Sequence, residues 1–200
     1  LLSSFIFSCA PATPSTSQIV NVYATASASP FLDDLYACAD EASVTLNLTS
    51  DSPDISLRLG QLDGWAGSVF QVGTEDILIV ASLQSPLPSL TLDQARVIFA
   101  GQGDPSVQVW GYASAEDTQN VFEQAVMNGR SVTSFARLAV SPSHMVESLS
   151  ADANAVGLLP RRWMTTGLRE LFVAASVPVL ALTPSELEGA VRDLIACMQK

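Results

Sequence analysis

The sequence predicts an α/β fold in which most strand pairing is parallel. Short apolar runs suited to buried strands alternate along the chain with longer segments of helical periodicity. This alternation is typical of parallel sheets flanked by helices, because a parallel connection needs a crossover that is usually a helix. The 200 residues suffice for one ordinary domain or two small lobes.

Five helices are predicted from their start signals. At Ser29, Ser141 and Thr183 a hydroxyl residue precedes a proline, which is typical of an N-cap followed by the first helical position. Thr91 begins a capping-box pattern, and another helical pattern follows Tyr112. The apolar runs between these helices predict strands at 19–23, 55–59, 77–81, 107–112, 156–159 and 177–182.

The composition excludes several classes of function. The net charge is −11 and Lys200 is the only lysine, so the chain has no basic face for nucleic acid or for an anionic membrane surface. His144 is the only histidine, and the three cysteines lack metal-ligand spacing, which argues against a zinc site or a Ser-His-Asp triad. Glycine-rich nucleotide motifs are missing from the sequence. We therefore expect neither a metal nor a cofactor.

Residues 1–17 are predicted to be a lipobox remnant and a tether. Ile6-Phe7-Ser8-Cys9 resembles a bacterial lipobox, in which the cysteine is lipidated after cleavage, so we expect a signal segment upstream and a lipid anchor on Cys9. Residues 10–17 have the Ala, Pro, Ser and Thr content of a flexible tether. The alternative is a disordered end with an incidental cysteine. If the protein is exported, Cys38 and Cys197 either form a disulfide or remain two buried thiols.

Two strand-to-helix junctions are candidate ligand loops. In open α/β sheets ligands bind beyond the carboxyl ends of strands. Residues 23–29 form a junction of small hydroxyl residues, and residues 109–126 (VWGYASAEDTQNVFEQAV) form a junction that leads into a helix. Free backbone N–H groups at such a helix start favour an anion. The alternative for each is a plain loop whose side chains cap its own helix.

Four segments, in order, resemble phosphate-type periplasmic solute-binding proteins. SLQSPLPSLTLDQARVIFAGQ resembles the family pattern N-P-x-x-x-L-T-x-x-Q-L-x-x-I-F-x-G. VQVWGYASAEDTQNVFEQAV resembles its strand, Gly-Ser-Gly-Thr ligand turn and helix, and SPSHMVESLSADANAVGLLPRRW resembles its helix followed by a Gly-rich strand. VNVYATASASPFLDDLYACADE resembles its first strand, hydroxyl-rich loop and helix. The matching residues of the first segment are Pro86, Leu90, Thr91, Gln94, Ile98, Phe99 and Gly101.

The resemblance implies a two-lobed type II periplasmic-binding-protein fold, with mostly parallel sheets flanked by helices and a ligand cleft between the lobes. Lobe one would comprise residues 18–83 and 164–200, and lobe two would comprise residues 84–163. The family holds its anion with backbone N–H groups and hydroxyls. On this chain the matching positions are Thr25, Ala26 and Ser27 from lobe one and Ser114 and Thr118 from lobe two.

The ligand turn departs from the family pattern. Glu116 and Asp117 stand where the family has an Arg or a Ser-Gly pair. A carboxylate about 4 Å from a unit negative charge costs on the order of 4 kcal/mol at an effective dielectric near 20, so phosphate would be opposed. Alternatively, an acidic side chain accepts a proton from a protonated ligand oxygen. We keep both residues as candidate ligand contacts.

Three further features are candidates for the cleft. The chain is short between residues 59 and 77, where the family has a Gly-Gly-Ser helix start. Either Gly67-Ser68 is a remnant of that start, which makes Ser68 a candidate contact, or the loop is rebuilt. Trp65 is a candidate cleft aromatic or a packing residue. Arg161 and Arg162 are candidates to assist an anion or are surface residues.

Three functions follow from these features. The first is an extracytoplasmic, monomeric solute-binding lipoprotein that holds a small polar or phosphate-like anionic ligand for an ABC permease, with the membrane reached through its lipid anchor only. The second is a sensory or scaffold lipoprotein of the same fold that no longer binds phosphate. The third is an enzyme that uses Asp63, Glu116 and Asp117 as acid and base; nothing in the sequence fixes their separation, and we expect no enzymatic activity.

Overall fold

A single eight-stranded sheet organises the fold in the computed structural model, which describes residues 18–60 and 64–200. The strand order is β2-β1-β3-β8-β4-β7-β5-β6. The strands are β1 (Ile19–Ala24), β2 (Thr45–Leu48), β3 (Ile55–Leu59), β4 (Ser68–Ser82), β5 (Gln108–Tyr112), β6 (Arg137–Ala139), β7 (Ala155–Pro160) and β8 (Leu168–Thr183). In this part of the chain four of the seven strand pairs are parallel; the other three all involve β4 or β8.

Five α-helices of the described ranges cover the sheet. They are α1 (Leu32–Ala42), α2 (Leu92–Phe99), α3 (Asp117–Ala125), α4 (Pro142–Ala151) and α5 (Gly189–Met198). Thr91 and Gln94 form the predicted reciprocal capping box of α2, and Ser141 caps α4 through the N–H of His144. None of these helices combines the length with the apolar character that a bilayer-spanning segment needs.

The predicted start of the last helix is wrong. Thr183 is the final residue of β8, where it pairs with Ser68, and α5 begins only at Gly189. The Thr183 hydroxyl donates a hydrogen bond to the carbonyl of Ser185 instead of accepting one from a helical N–H. Pairing in the sheet has therefore overridden a local capping signal.

β4 and β8 connect two hydrophobic cores. The two strands run antiparallel from the Ser68–Thr183 pair to the Ser82–Leu168 pair. One core packs α1 and α5 against β1, β3 and the first half of β4. The other packs α2, α3 and α4 against β5, β7 and the second half of β4. This gives the two-lobed arrangement that the sequence predicts, with β4 and β8 as the crossover strands; the lobe boundaries at 83/84 and 163/164 stay a prediction.

The structure joins Cys38 of α1 and Cys197 of α5 in a disulfide, with 5.8 Å between the two Cα atoms. The bond links helices that lie 159 residues apart in sequence and that pack on the same face of the first core. Of the two alternatives left open by the sequence, the structure has the disulfide. Cys9, the predicted lipidation site, lies outside the described residues.

Candidate functional site

Loop 24–29 and the start of α3 meet across the two lobes. Thr25 Oγ1 donates a 2.7 Å hydrogen bond to Oδ2 of Asp117. Ser27 Oγ lies 2.7 Å from Oγ1 of Thr118, and it also donates to the carboxylate of Glu116. The two candidate ligand loops are therefore in direct side-chain contact.

The carboxylate of Asp117 is the most heavily bonded group of this cluster. Besides the Thr25 hydroxyl, it accepts a hydrogen bond from Nη2 of Arg58 and one of 3.0 Å from the backbone N–H of Leu59. Asp117 is only 2% exposed. A buried carboxylate is tolerated when it is paired and hydrogen-bonded, and here a guanidinium, a hydroxyl and an amide supply the compensation.

Neither acidic side chain caps its own helix. Glu116 occupies the N-cap position of α3 but makes no capping hydrogen bond, because its carboxylate points to Ser27. Asp117, the first residue of the helix, points to Thr25, Arg58 and Leu59. The self-capping alternative for this turn is wrong, and both carboxylates instead lie at hydroxyl and N–H donors of the kind that the resemblance assigns to an anion.

The start of α3 is held in place by its neighbours in the second core. Gln119 Oε1 accepts the backbone N–H of Tyr112 at 2.9 Å, and a Cβ at Gly111 would lie 3.0 Å from that oxygen. The Tyr112 hydroxyl donates to the carbonyl of Leu158 at 2.9 Å. Burial, and to a lesser degree the charge of Glu116, raises the pKa of Tyr112, so its hydroxyl stays protonated at neutral pH. These contacts fix the direction in which Asp117 and Thr118 project.

A second set of contacts between the lobes includes the backbone of Ser27. Arg162, in the turn after β7, forms a 2.8 Å ion pair with Asp34 of α1 and stacks 3.8 Å above the ring centre of Phe31. Trp163 Nε1 donates to the carbonyl of Ser27 at 3.4 Å. Arg162 therefore helps to hold the lobes together at the edge of the cleft, and its neighbour Arg161 turns to Asp76 and Glu170.

Glu75 and Asp76 lie on β4 where it passes between the lobes. Glu75 is 4% exposed, and its Oε1 accepts the backbone N–H groups of Asp76 and Arg162. Burial raises the pKa of Glu75 above its usual 4.5, partly offset by those hydrogen bonds. Hydrogen bonds from Ser176 and Arg161 lower the pKa of Asp76. Of these two neighbouring carboxyls on the crossover strand, Glu75 therefore has a raised pKa and Asp76 a lowered one.

An open groove of about 960 Å³ begins at Arg58 and runs along α3. Its polar lining includes Arg58, Asn120 and Gln124, and its apolar lining includes Val121 and Pro178. The groove is far larger than an inorganic oxyanion and falls within the usual size range of small-molecule sites.

The other predicted contacts are not drawn into the cluster. Ala26 and Ser114 belong to the two facing loops but are exposed. Ser68 pairs with Thr183, whereas Leu59, whose N–H bonds Asp117, pairs with Val179. Thr183 and Val179 are four residues apart on β8, which is about 13 Å at 3.3 Å per residue.

Trp65 lies with Ser68 at that far end of the sheet. A Cβ at Gly67 would lie 2.8 Å from Trp65 Nε1 and 2.0 Å from the Thr183 carbonyl, and Trp65 is 38% exposed. The physical reason for this placement is that β4 begins at Ser68 as one continuous strand, instead of forming the helix start that the resemblance implies. Asp63, from the enzyme alternative, lies outside the described residues.

Arg58 is the site residue that sequence reasoning missed. It stands one residue before the end of a predicted buried strand, where a lone charged residue among apolar neighbours signals a required partner. That partner, Asp117, is 59 residues away in sequence. The sequence alone indicates that Arg58 needs a partner. Identification of Asp117 as that partner requires the order of the strands in the sheet.

Solved structures with this fold include transport and regulatory proteins. A protein from Clostridium perfringens with bound phosphate, described as a phosphate ABC transporter substrate-binding protein, matches with a TM-score of 0.80 and 14% identity over 90% of this chain and 93% of its own. An ABC-type phosphate transport receptor from Vibrio cholerae matches with a TM-score of 0.68 and 16% identity over the same shares.

The reduced regulatory domain of OxyR2 from Vibrio vulnificus matches with a TM-score of 0.70 and 12% identity over 96% of this chain and 97% of its own. No family model matches the chain, and no curated protein matches it in sequence. The resemblance read from the sequence is thus matched at the level of the fold: the chain has the two-lobed fold of periplasmic binding proteins, which serves both solute binding and regulation.

Proposed function

We propose that the protein is an extracytoplasmic solute-binding lipoprotein that holds a small polar or anionic ligand between its lobes for an ABC permease. The observation that carries this proposal is the meeting of loop 24–29 with the start of α3. A hydroxyl, a guanidinium and a backbone N–H converge there on the carboxylate of Asp117. Such donors recognise an oxyanion without a strongly basic surface, which suits a chain of net charge −11.

In this proposal Glu116 and Asp117 hold the cleft closed in the absence of ligand. The 2.7 Å contact between Ser27 and Thr118 leaves no space for an oxyanion between those two hydroxyls. A ligand therefore binds after the lobes separate and has to compete with carboxylates that are attached to the chain. An attached competitor acts at a high effective concentration, so we expect modest affinity for free phosphate.

The direct contact also favours a second candidate, a sensory or scaffold lipoprotein that no longer binds phosphate. If the donors are permanently used by Glu116 and Asp117, the two lobes act as one rigid body and the cleft has no ligand. The fold match to a regulatory domain is compatible with such a role.

Thermal unfolding of the mature protein with added anions separates the two candidates. Phosphate, sulfate and small carboxylates are the probes, and a ligand at 100 times its dissociation constant should stabilise the protein by about 2.7 kcal/mol. Stabilisation by one of these probes supports solute binding. The absence of any stabilisation at high millimolar concentrations would contradict it and leave the sensory or scaffold role.

The lipid anchor is tested separately. Expression of the complete precursor in a bacterial host should give a membrane-associated protein whose N-terminal peptide carries a diacylglyceryl modification on Cys9, measured by mass spectrometry. Cys9→Ala should release the protein from the membrane fraction. An unmodified Cys9 in the wild-type protein would contradict the anchor and leave the proposed cleft function standing.

A further inference from the structure

The pocket that holds Asp117 is built for a carboxylate. Its three donors come from three different sources: the Thr25 hydroxyl, the Arg58 guanidinium and the Leu59 N–H. All three belong to lobe one, whereas Asp117 comes from lobe two. Separation of the lobes therefore leaves a complete donor set on lobe one and removes the carboxylate that occupies it.

Asp117 does not satisfy every donor of this set. Arg58 Nε is buried and has no hydrogen-bond partner among the described residues. Arg58 reaches Oδ1 of Asp117 through Nη2 only, because the other oxygen, Oδ2, is shared by Thr25 and Leu59. A free carboxylate, unlike an attached one, can turn so that its two oxygens face Nε–H and Nη2–H together, which is the preferred geometry of an Arg–carboxylate pair.

The groove beside Arg58 supplies room for more than a carboxylate. It has a volume of about 960 Å³ and runs from Arg58 along α3, with Asn120 and Gln124 as amide side chains and Val121 and Pro178 as apolar contacts. A molecule whose carboxylate lies at Arg58 would extend its remaining atoms along this mixed surface.

We infer that the ligand of the cleft is a small organic monocarboxylate, whose carboxylate replaces that of Asp117 at Thr25, Arg58 and Leu59 and whose body lies in the groove along α3. This inference rests on the proposed solute-binding function. In the ligand-free protein Asp117 acts as an attached substitute for the ligand. Asp117 leaves these donors when the lobes open. When they close on the ligand, α3 returns beside the groove with the Asp117 carboxylate turned aside, where the helix N-terminus favours its charge.

Charge favours a monocarboxylate over phosphate at this position. Glu116 remains on the adjacent turn with its carboxylate at Ser27. A phosphate dianion would bring twice the negative charge of a monocarboxylate towards Glu116, while Arg58 is the one cation bonded to the cluster within the described ranges. The repulsion therefore grows with ligand charge, but the number of donors stays the same.

Removal of the attached carboxylate tests the inference. The mature chain with Asp117→Ala is titrated calorimetrically with acetate, butyrate and inorganic phosphate, beside the wild type and the matched control Asp33→Ala, which removes an equal charge from an exposed position of α1. We expect Asp117→Ala to bind acetate at least tenfold more tightly than the wild type and to bind butyrate several-fold more tightly than acetate, because its extra methylenes enter the groove. Asp33→Ala should behave as the wild type.

A second substitution assigns the binding to Arg58. In the Asp117→Ala background, Arg58→Met should weaken acetate binding at least tenfold. If Asp117→Ala fails to fold, Asp117→Asn keeps the shape and removes the charge, and the same order of affinities is expected from it.

The outcomes separate this inference from the proposed function. Tighter binding of phosphate than of either carboxylate, or equal acetate binding with and without Arg58, would overturn the inference while solute binding stands. Failure of the folded wild type and of both folded variants to bind any probe would overturn the solute-binding function as well.

Discussion

The hydroxyl of Thr25 donates a 2.7 Å hydrogen bond to the buried carboxylate of Asp117, across 92 positions of sequence and from one lobe to the other. The two residues belong to the two loops that the resemblance implies as ligand loops. Side chains of the protein itself therefore hold these two loops together.

Thr25→Val should destabilise the protein by about 1–2 kcal/mol. Valine keeps the shape of threonine but leaves Asp117 with one hydrogen bond fewer in a buried position. Urea unfolding followed by circular dichroism measures the change. The control Thr166→Val, at an exposed position, should change stability by less than about 0.5 kcal/mol. Equal effects of the two substitutions would show that the Thr25–Asp117 bond does not stabilise the closed state.

Arg58→Met should cost about 3 kcal/mol of stability. The substitution leaves the carboxylate of Asp117, which is 2% exposed, without its cationic partner. Adding Asp117→Leu should recover a large part of that loss, because the unpaired buried charge is then gone. Arg192→Met is the matched control, since Arg192 pairs with Asp193 at the exposed surface of α5 and should cost well under 1 kcal/mol. A loss for Arg58→Met as small as for Arg192→Met would contradict the buried pair.

Glu75 should make stability fall as the pH rises above its usual pKa of 4.5. Its pKa is raised in the folded state by burial, so the native protein binds the proton more tightly than the unfolded chain does. The stabilisation from this group is thus complete below its usual pKa of 4.5 and is lost as the pH passes through the higher folded value. Glu75→Gln removes the titration, so the wild type should become less stable relative to the variant as the pH rises. A wild-type minus variant difference that is constant with pH, or that changes in the opposite direction, would contradict this account.

The Cys38–Cys197 bond should contribute about 2–5 kcal/mol to stability. It constrains the unfolded chain over a separation of 159 residues. Urea unfolding of the oxidised protein, of the reduced protein and of the double variant Cys38→Ser with Cys197→Ser measures this contribution. The reduced protein and the double variant should unfold at similar, lower urea concentrations. Free thiols at both cysteines in protein exported from cells would contradict the disulfide.

The local parts of the fold were readable from the sequence, and the long-range parts were not. Caps at Thr91 and Ser141 act within one helical turn, so α2 and α4 begin where predicted. The strands β2 and β6 were missed because each has at most four residues and lies at an edge of the sheet. β4 and β8 are 15 and 16 residues long, and only the ends with continuous apolar sequence were recognised. Their remaining parts are mostly half-buried or exposed, so they give no continuous apolar signal.

In the candidate site, too, the local features were predictable from the sequence and the long-range contacts were not. The order of the resembling segments along the chain located its two loops. Comparison of Glu116 and Asp117 with the family pattern showed that this turn carries carboxylates instead of an Arg or a Ser-Gly pair. The direction of each carboxylate was not readable, because it depends on donors that lie about 60 to 90 positions away, at Arg58 and Thr25. The pairing of a strand-end arginine with a helix-start aspartate needs the sheet order, which one sequence does not fix.

The most direct test of the central claim, that Glu116 and Asp117 occupy the anion donors of the cleft, is phosphate binding by the double variant Glu116→Gly with Asp117→Ser. These substitutions introduce the small residues of the turn that this segment resembles, and they free the donors at Thr25, Ser27, Arg58 and Leu59. Calorimetric titration of the mature variant should show phosphate binding at least tenfold tighter than that of the wild type. Unchanged or weaker binding by a folded double variant would show that the two carboxylates do not stand in the place of the anion.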